Sequence, residues 1–408
     1  MKITLLHYSS PPVVGGVESV LAHHARLMAD AGHHVTILAG RGDVFDERVR
    51  VHILPHLDSR HPKVMEVKKI LDAGKHTPDF DELRETIKKE LWRELEDCDV
   101  IIAHNVASLH KNLALTAALH EAYKTPGFPR LILWHHDLAW TTPRYREELY
   151  NGYPWNLLCT PWEKVKHVVV SELRRRELAQ LLSMAEDSIR VIPNGVDLKA
   201  FFKLEPQTVE LIERLSLLEA DPLLLLPVRL TPRKNIELAL QVTAALRKEY
   251  PNVMLLVTGP EGPHNPNNKT YKEKLLRLRE ELGLQGTVHF LAEVTSEFMP
   301  DAVIADFYRL SDALLFPSQE EGFGIPLIEA AFDRTPVFCA DIPVLRELGG
   351  EDVTYFVPGE DAARMAHQVK VRLEAELTSR WARRARRSYT WEHIYNGRIA
   401  PLLEEVMA

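Results

Sequence analysis

The feature that most constrains this chain is a series of short apolar runs, each ending in a polar or glycine-bearing loop that leads into a helical pattern. Val100-Ile101-Ile102-Ala103 and Ala313-Leu314-Leu315-Phe316 show no polar alternation, which marks strands buried on both faces. Such strands belong to parallel sheets covered by helices on both sides. The series runs through Ile3–Tyr8, His34–Leu38, Val49–Leu54, Val100–Ala103, Leu131–Trp134, Val165–Val170 and Ile189–Ile192, then breaks near 197–205. It restarts at Leu223–Val228 and continues through Val253–Val257, Val288–Leu291, Ala313–Phe316 and Val337–Cys339. A chain of 408 residues exceeds one ordinary core. The expectation is therefore two Rossmann-like, doubly wound α/β domains facing a cleft, over 1–197 and 198–388.

Composition narrows the function. A formal net charge of −8 argues against a nucleic-acid binder. Three widely spaced cysteines, Cys98, Cys159 and Cys339, show no metal-ligand pattern and suit a reducing compartment. Residues 1–9 are too short and polar for a signal peptide or a membrane span. A cytoplasmic protein with no integral membrane association is expected.

The most informative stretch is Ser318-Gln319-Glu320-Glu321-Gly322-Phe323-Gly324-Ile325-Pro326-Leu327-Ile328-Glu329-Ala330-Ala331. It joins a buried strand to a helix whose first turn holds Pro326, and its glycines allow close backbone approach to a ligand. Strand, glycine turn and helix N-terminus together attract anions, because unpaired N–H groups and the helix dipole converge there. Glu321 and Glu329 bracket the turn with seven residues between them. N–H groups for a diphosphate and carboxylates for sugar hydroxyls suit a nucleotide-sugar. A βα unit with a solvated glutamate is the plainer alternative.

Arg229 and Lys234 stand on another strand-to-helix loop. Cations at a helix start oppose its dipole, a conflict that an anionic ligand resolves. Such a pair neutralises a diphosphate leaving group without metal. Asp79-Phe80-Asp81 reads as the polar start of a helix and Asp97-Cys98-Asp99 as a junction before a strand, so no metal site is expected. Ser9, Ser171 and Cys339 lie at strand ends without a nucleophile-elbow pattern, so no covalent hydrolase chemistry is expected. His136 and Asp137 follow a strand, as do His104 and Asn105. His136 is placed to bond a sugar hydroxyl; His104, Asn105 and Asp137 are candidates for the acceptor. Arg380, Arg383, Arg384 and Arg387 fall at helical spacing and read as a solvated face, with weak peripheral contact to an anionic membrane as the minor alternative. His61, Lys63, Lys68, Lys69, Lys75 and His76 make the start of the 56–97 insertion basic, which suits either an anionic acceptor or plain surface.

Taken together, Gly15-Gly16-Val17-Glu18, His136-Asp137, Val170-Ser171-Glu172, Ile192-Pro193-Asn194-Gly195-Val196-Asp197, Arg229 with Lys234, and Pro317-Ser318 through Glu329 resemble the retaining family-4 nucleotide-sugar glycosyltransferases of GT-B fold. The likeness spans nearly the whole chain. It implies a donor site of Gly15, Gly16, Arg229, Lys234, Glu321, Gly322, Phe323, Gly324, Ile325, Leu327, Ile328 and Glu329, with the diphosphate on Arg229 and Lys234, the ribose on Glu329 and the hexose on Glu321. His136, Glu321, Arg229 and Lys234 would be the catalytic group. The resemblance also implies no metal or other cofactor, a retaining front-face displacement, and a C-terminal helix over 389–408 that crosses back to the first domain. The partners expected are a nucleoside-diphosphate sugar, UDP-glucose or GDP-mannose, and a hydroxyl acceptor such as a sugar or small hydroxy acid. The sequence departs from the commonest pattern at Val228, where glycine often precedes the arginine, and in the long loop Gly259–Asn268, where donor contact is expected. The rival readings are a nucleotide-sugar epimerase, a phosphorylase-like enzyme, and a non-catalytic sugar-binding protein.

Overall fold

A computed structural model describes residues 1–260, 267–295, 298–357 and 359–408. They form two compact units, Met1–Gly195 with Trp391–Ala408, and Val196–Thr390.

The first unit is built on seven parallel strands: β1 (Lys2–His7), β2 (His34–Ala39), β3 (Val49–Ile53), β4 (Val100–His104), β5 (Arg130–His135), β6 (Lys166–Val169) and β7 (Ile189–Val191). Their order is β3-β2-β1-β4-β5-β6-β7. Side chains alternate across this sheet, as the two-residue period of a strand requires. Ile3, Leu5, Ile102, Ile132 and Trp134 face a core shared with helix Gly16–Asp30 and with Trp391, Ile394, Ile399, Leu402 and Leu403 of the chain terminus. Leu6, Ile101, Ala103, Leu131 and Leu133 face the opposite core. That second core holds the 56–97 insertion: Phe80, Leu83, Ile87, Leu91 and Leu95 form one buried stripe of helix Pro78–Leu95. The returning terminus is fixed by Glu405, which pairs with Lys166 at 2.7 Å and Arg190 at 2.6 Å.

The second unit carries β8 (Leu223–Leu226), β9 (Met254–Val257), β10 (Val288–Phe290), β11 (Ala313–Phe316), β12 (Val337–Ala340) and β13 (Thr354–Phe356), all parallel. Their order is β10-β9-β8-β11-β12-β13. Both are Rossmann-like parallel α/β units, as the sequence leads one to expect. In each sheet the order reverses beside the first strand, at β1/β4 and at β8/β11, and open α/β sheets bind ligands at such switch points. The loops carrying Gly15–Gly16, His104–Asn105, His136–Asp137, Arg229–Lys234 and Glu321–Gly324 leave these four strands or the neighbouring β5, whereas the Gly259–Asn268 loop leaves β9. β13 has no counterpart in the series of strands read from the sequence.

The unit boundaries fall two residues from 197/198 and 388/389. Val196 N–H donates to Tyr389 O at 2.7 Å, and Asp197 accepts from Ala200 N–H as the cap of helix Leu198–Phe202. Both crossings of the chain are thereby tied into the second unit.

The arginine face of helix Leu377–Tyr389 is not wholly solvated. Arg386, 8% exposed, binds Asp312 at 2.6 Å and the carbonyls of Leu310 and Ala220. Arg383, 6% exposed, binds Asp221 at 3.1 Å and Leu373 O. Arg387 also pairs with Asp221. These guanidiniums lock the helix to the sheet, and Arg380 and Arg384 remain exposed. Among the described residues no helix is long and apolar enough to cross a membrane.

Candidate active site

In the second unit, the loops after β8 and β11 lie against each other. Gln319 N–H donates to Arg233 O at 2.8 Å, and the Arg233 guanidinium donates to Glu320 O at 3.2 Å. This brings Lys234 and Glu321 into a direct ion pair, with side chains 10% and 9% exposed. The Lys234 ammonium also sits 5.5 Å from the centre of the Phe316 ring, and Arg233 stands 3.9 Å from the far oxygen of Glu321. A pair so withdrawn from water stands only with its partners in place, since a lone buried charge is costly.

Helix Ile325–Asp333 starts where Pro326 announces it. Gly324 precedes it at φ +103°, and a Cβ there would stand 2.7 Å from Leu345 Cδ2, so glycine is required twice over. A Cβ on Gly322 meets nothing within 4 Å, so the protein's own packing does not demand that glycine. Among the expected backbone donors, Leu327 N–H already donates to Gly324 O at 3.0 Å and the Leu327 side chain is buried. Phe323 and Ile325 are exposed. One turn along, Glu329 accepts from Tyr308 Oη–H at 2.8 Å. Burial and the Glu329 charge push the Tyr308 phenol upward, so it stays protonated. A cavity of about 410 Å³ opens beside this pair, lined by Ile304, Tyr308, Arg309, Glu329 and Phe332 among others.

Arg229 is exposed and lies over the Phe298 ring, 5.0 Å from its centre. Val228 stands where glycine is common, and the close approach is met from the other side: a Cβ on Gly259 would lie 2.1 Å from Val228 O. The rest of the long loop after β9, where donor contact is expected, includes residues 261–266, which lie outside the described residues.

In the first unit, Gly15 precedes helix Gly16–Asp30 in extended conformation. A Cβ on Gly15 would collide with the Glu18 carboxylate, which is held by Ser9 Oγ–H at 2.5 Å. A Cβ on Gly16 meets only open space. On the other side of the switch point, Asn105 adopts φ +59° after β4. Its Oδ1 accepts from His136 N–H at 2.8 Å and Asp137 N–H at 3.3 Å, so Asn105 shapes the loop after β5. His136 is 9% exposed and its Nε2 lies 3.1 Å from His104 Nδ1. Burial lowers His136 to about 3, so its ring is neutral. His104 is fully buried behind it, and in this state its ring is closed to an acceptor. Asp137 is half-buried, 3.6 Å from Arg174. Ser171 is a helix cap that accepts from Arg174 N–H at 3.2 Å.

Asp81 pairs with Arg84 and His76, and Asp99 accepts from Lys2 N–H at 2.7 Å, so both Asp-x-Asp runs have structural partners. Among the described residues, one group gathers ligand-type atoms, Asp72, His110 and Glu148, within 4.8 Å of one another. The Lys68 ammonium stands on both its carboxylates, at 2.5 and 2.9 Å, and supplies the positive charge there.

Two families cover the chain in succession. The one described as "Glycosyltransferase Family 4" matches residues 14–200, and "Glycosyl transferases group 1" matches 209–388. The chain belongs to the family-4-type glycosyltransferases. Among relatives of this glycosyltransferase, the mannosylglucosylglycerate synthase of Petrotoga mobilis is 29% identical over 287 residues, 64% of this chain and 64% of that protein. The MMP alpha-(1->4)-mannosyltransferase of Mycolicibacterium hassiacum is 28% identical over 384 residues, 86% of this chain and 84% of that one. The mannosylglucosylglycerate synthase of Thermotoga maritima is 25% identical over 402 residues, covering 91% and 88%. The glycosyltransferase thus spans less than two thirds of the Petrotoga relative's length and most of the other two.

Sequence reasoning missed four supporting residues: Arg233, which braces the two loops, Tyr308, which holds Glu329, Phe298 beneath Arg229, and Ser9, which holds Glu18. Arg233, Tyr308 and Phe298 act through contacts between different elements far along the chain, and Ser9 through a bond across the loop from the first strand to its helix. Gly259 carried a legible signal, a glycine in the loop that leaves a buried strand.

Proposed function

We propose that the protein transfers a hexose from a nucleoside-diphosphate sugar to a hydroxyl of a sugar or small hydroxy-acid acceptor, without metal and with retention at the anomeric carbon. The observation that carries this reading is the withdrawn Lys234–Glu321 pair beside the glycine turn and helix start. A diphosphate arriving there exchanges Glu321 for phosphate oxygens on Lys234 and frees the carboxylate for a hexose hydroxyl. Gly16 and Gly322, which the protein's own packing leaves open, give the backbone room for a ligand. Arg229 adds charge, and Glu329, aimed by Tyr308, takes the ribose hydroxyls. Mannose is the favoured hexose, because the names of all three relatives carry it.

In the transfer, the acceptor oxygen bonds to the anomeric carbon while the bond from that carbon to the phosphate oxygen breaks. The leaving diphosphate oxygen takes the acceptor proton on the same face, which preserves configuration. Lys234, Arg229 and the helix start stabilise the charge that develops on the leaving group. His136, with burial holding it near 3, is too weak a base to take that proton and serves as a hydrogen-bond partner of the sugar.

The test is thermal stability in EDTA against UDP, GDP and ADP and their sugars. A selective upward shift with GDP and GDP-mannose is expected, followed by mannosyl transfer to glycerate or glucosylglycerate. A shift with no diphosphate would overturn the donor assignment. Interconversion of the donor's sugar without transfer would establish an epimerase instead.

A further inference from the structure

His104 and His136 lie one behind the other at the switch point of the first unit. Their rings meet edge to edge in nearly parallel planes, with centroids 5.4 Å apart and planes at 23°, and His104 Nδ1 lies 3.1 Å from His136 Nε2. Behind His104, Trp134 stacks at 5.6 Å and His24 tilts against it at 5.5 Å. His24 in turn meets Trp391 edge-on at 5.4 Å. His104 is therefore held by rings on the faces away from His136, and its Nε2 is buried with no hydrogen-bond partner.

Two neutral imidazoles in contact need one donor and one acceptor. A proton on His104 Nε2 would bury an N–H with no partner, whereas a proton on Nδ1 finds His136. His104 therefore donates from Nδ1, and His136 accepts at Nε2. The His136 proton must then sit on Nδ1, which has no protein partner among the described residues. The backbone of His136 is fixed separately through Asn105.

We propose that His104 is a positioning residue that sets His136 in the Nδ1–H tautomer, so that His136 presents a hydrogen-bond donor to a sugar hydroxyl. The proposal rests on the reading of His136 as a sugar-contacting residue. Its tautomer part can be tested apart from activity. Without the His104 partner, His136 is released to carry its proton on Nε2 and to turn an acceptor towards the ligand, which reverses the hydrogen bond it offers.

The test begins with the wild-type protein selectively ¹⁵N-labelled at histidine, with His136 assigned by loss of its signals in His136→Gln. A protonated-type shift at Nδ1 and an unprotonated-type shift at Nε2 are expected; the reverse pattern overturns the proposal whether or not any variant folds. Steady-state kinetics follow on two variants. His104→Phe keeps a ring against Trp134 and should lower kcat by roughly tenfold to a hundredfold with donor KM nearly unchanged, the scale of a displaced catalytic contact. His104→Asn keeps a donor near the Nδ1 position and should recover most of that loss. Wild-type kcat in His104→Phe, with His136 still protonated on Nδ1, would also overturn it. Absence of turnover in the wild type with every donor would instead count against the proposed function, and leave the tautomer to the labelled spectrum.

Discussion

The Tyr308 hydroxyl donates to Glu329 Oε2 across 2.8 Å, with Pro326 O a second acceptor 3.3 Å away. One phenol thus ties the helix before β11 to the first turns of the helix after it. Tyr308→Phe removes only that oxygen. We expect weaker nucleoside-diphosphate binding by about 1 kcal/mol, the usual value of one hydrogen bond, and a larger loss in Glu329→Ala. Isothermal titration with the diphosphate measures both, and wild-type affinity in both variants would remove Glu329 from the ribose.

Lys234 and Glu321 form one ionic unit. Lys234→Met should lower turnover by about two to four kcal/mol through loss of leaving-group stabilisation. It should also cost stability by about 3–5 kcal/mol, because Glu321 is left buried and unpaired. The double variant Lys234→Met/Glu321→Gln should regain much of that stability and none of the turnover. Denaturant titration and kcat together separate the two effects, and wild-type turnover in Lys234→Met would contradict the diphosphate role.

The buried histidines of the first unit predict acid sensitivity. Burial lowers His24 and His136 to about 3, and His7 and His167 to about 4. In the unfolded chain they take up protons near 6.5. The stability that depends on their neutrality is full above that value. It falls as pH drops towards 4, by about 1 kcal/mol per pH unit for each histidine. Chemical denaturation at pH 7.5 and 5 should show this loss, with net proton uptake on unfolding. A stability that is flat over that range would contradict the burial.

Gly195 is required by a packing contact. A Cβ there would lie 2.6 Å from Cδ2 of the Trp391 indole. Gly195→Ala should destabilise the first unit by about 1–3 kcal/mol, the usual cost of overpacking. Trp391→Leu in the same chain should relieve part of that cost, so the two changes should be non-additive. Additive losses in denaturant titration would show that the indole does not meet Gly195.

On the proposed reading, in which Lys234 and Arg229 supply the positive charge that a divalent cation would otherwise bring, transfer should persist in EDTA. Complete loss of product with chelator, restored by manganese, would return attention to metal chemistry.

Apolar runs such as Val100–Ala103 and Ala313–Phe316 were enough to establish two parallel α/β sheets, because a strand buried on both faces leaves no polar period in the sequence. Pro326, Gly324 and the Glu321–Glu329 spacing likewise located a helix start and its flanking carboxylates, since those constraints act within a few residues. Pairing across elements was not legible. Nothing near Arg386 in the chain announces Asp312, and a periodic arginine face reads the same whether it meets water or buried carboxylates. The Lys234–Glu321 pair and the ring contact of His104 with His136 join residues brought together by strand order, and the Tyr308–Glu329 bond joins the two helices that flank β11. The sequence by itself determined which strands, turns and helix starts exist, through local backbone and burial preferences. The tertiary structure alone decided which charge neutralises which, and which imidazole stands behind which, because those outcomes depend on distances that no local pattern encodes.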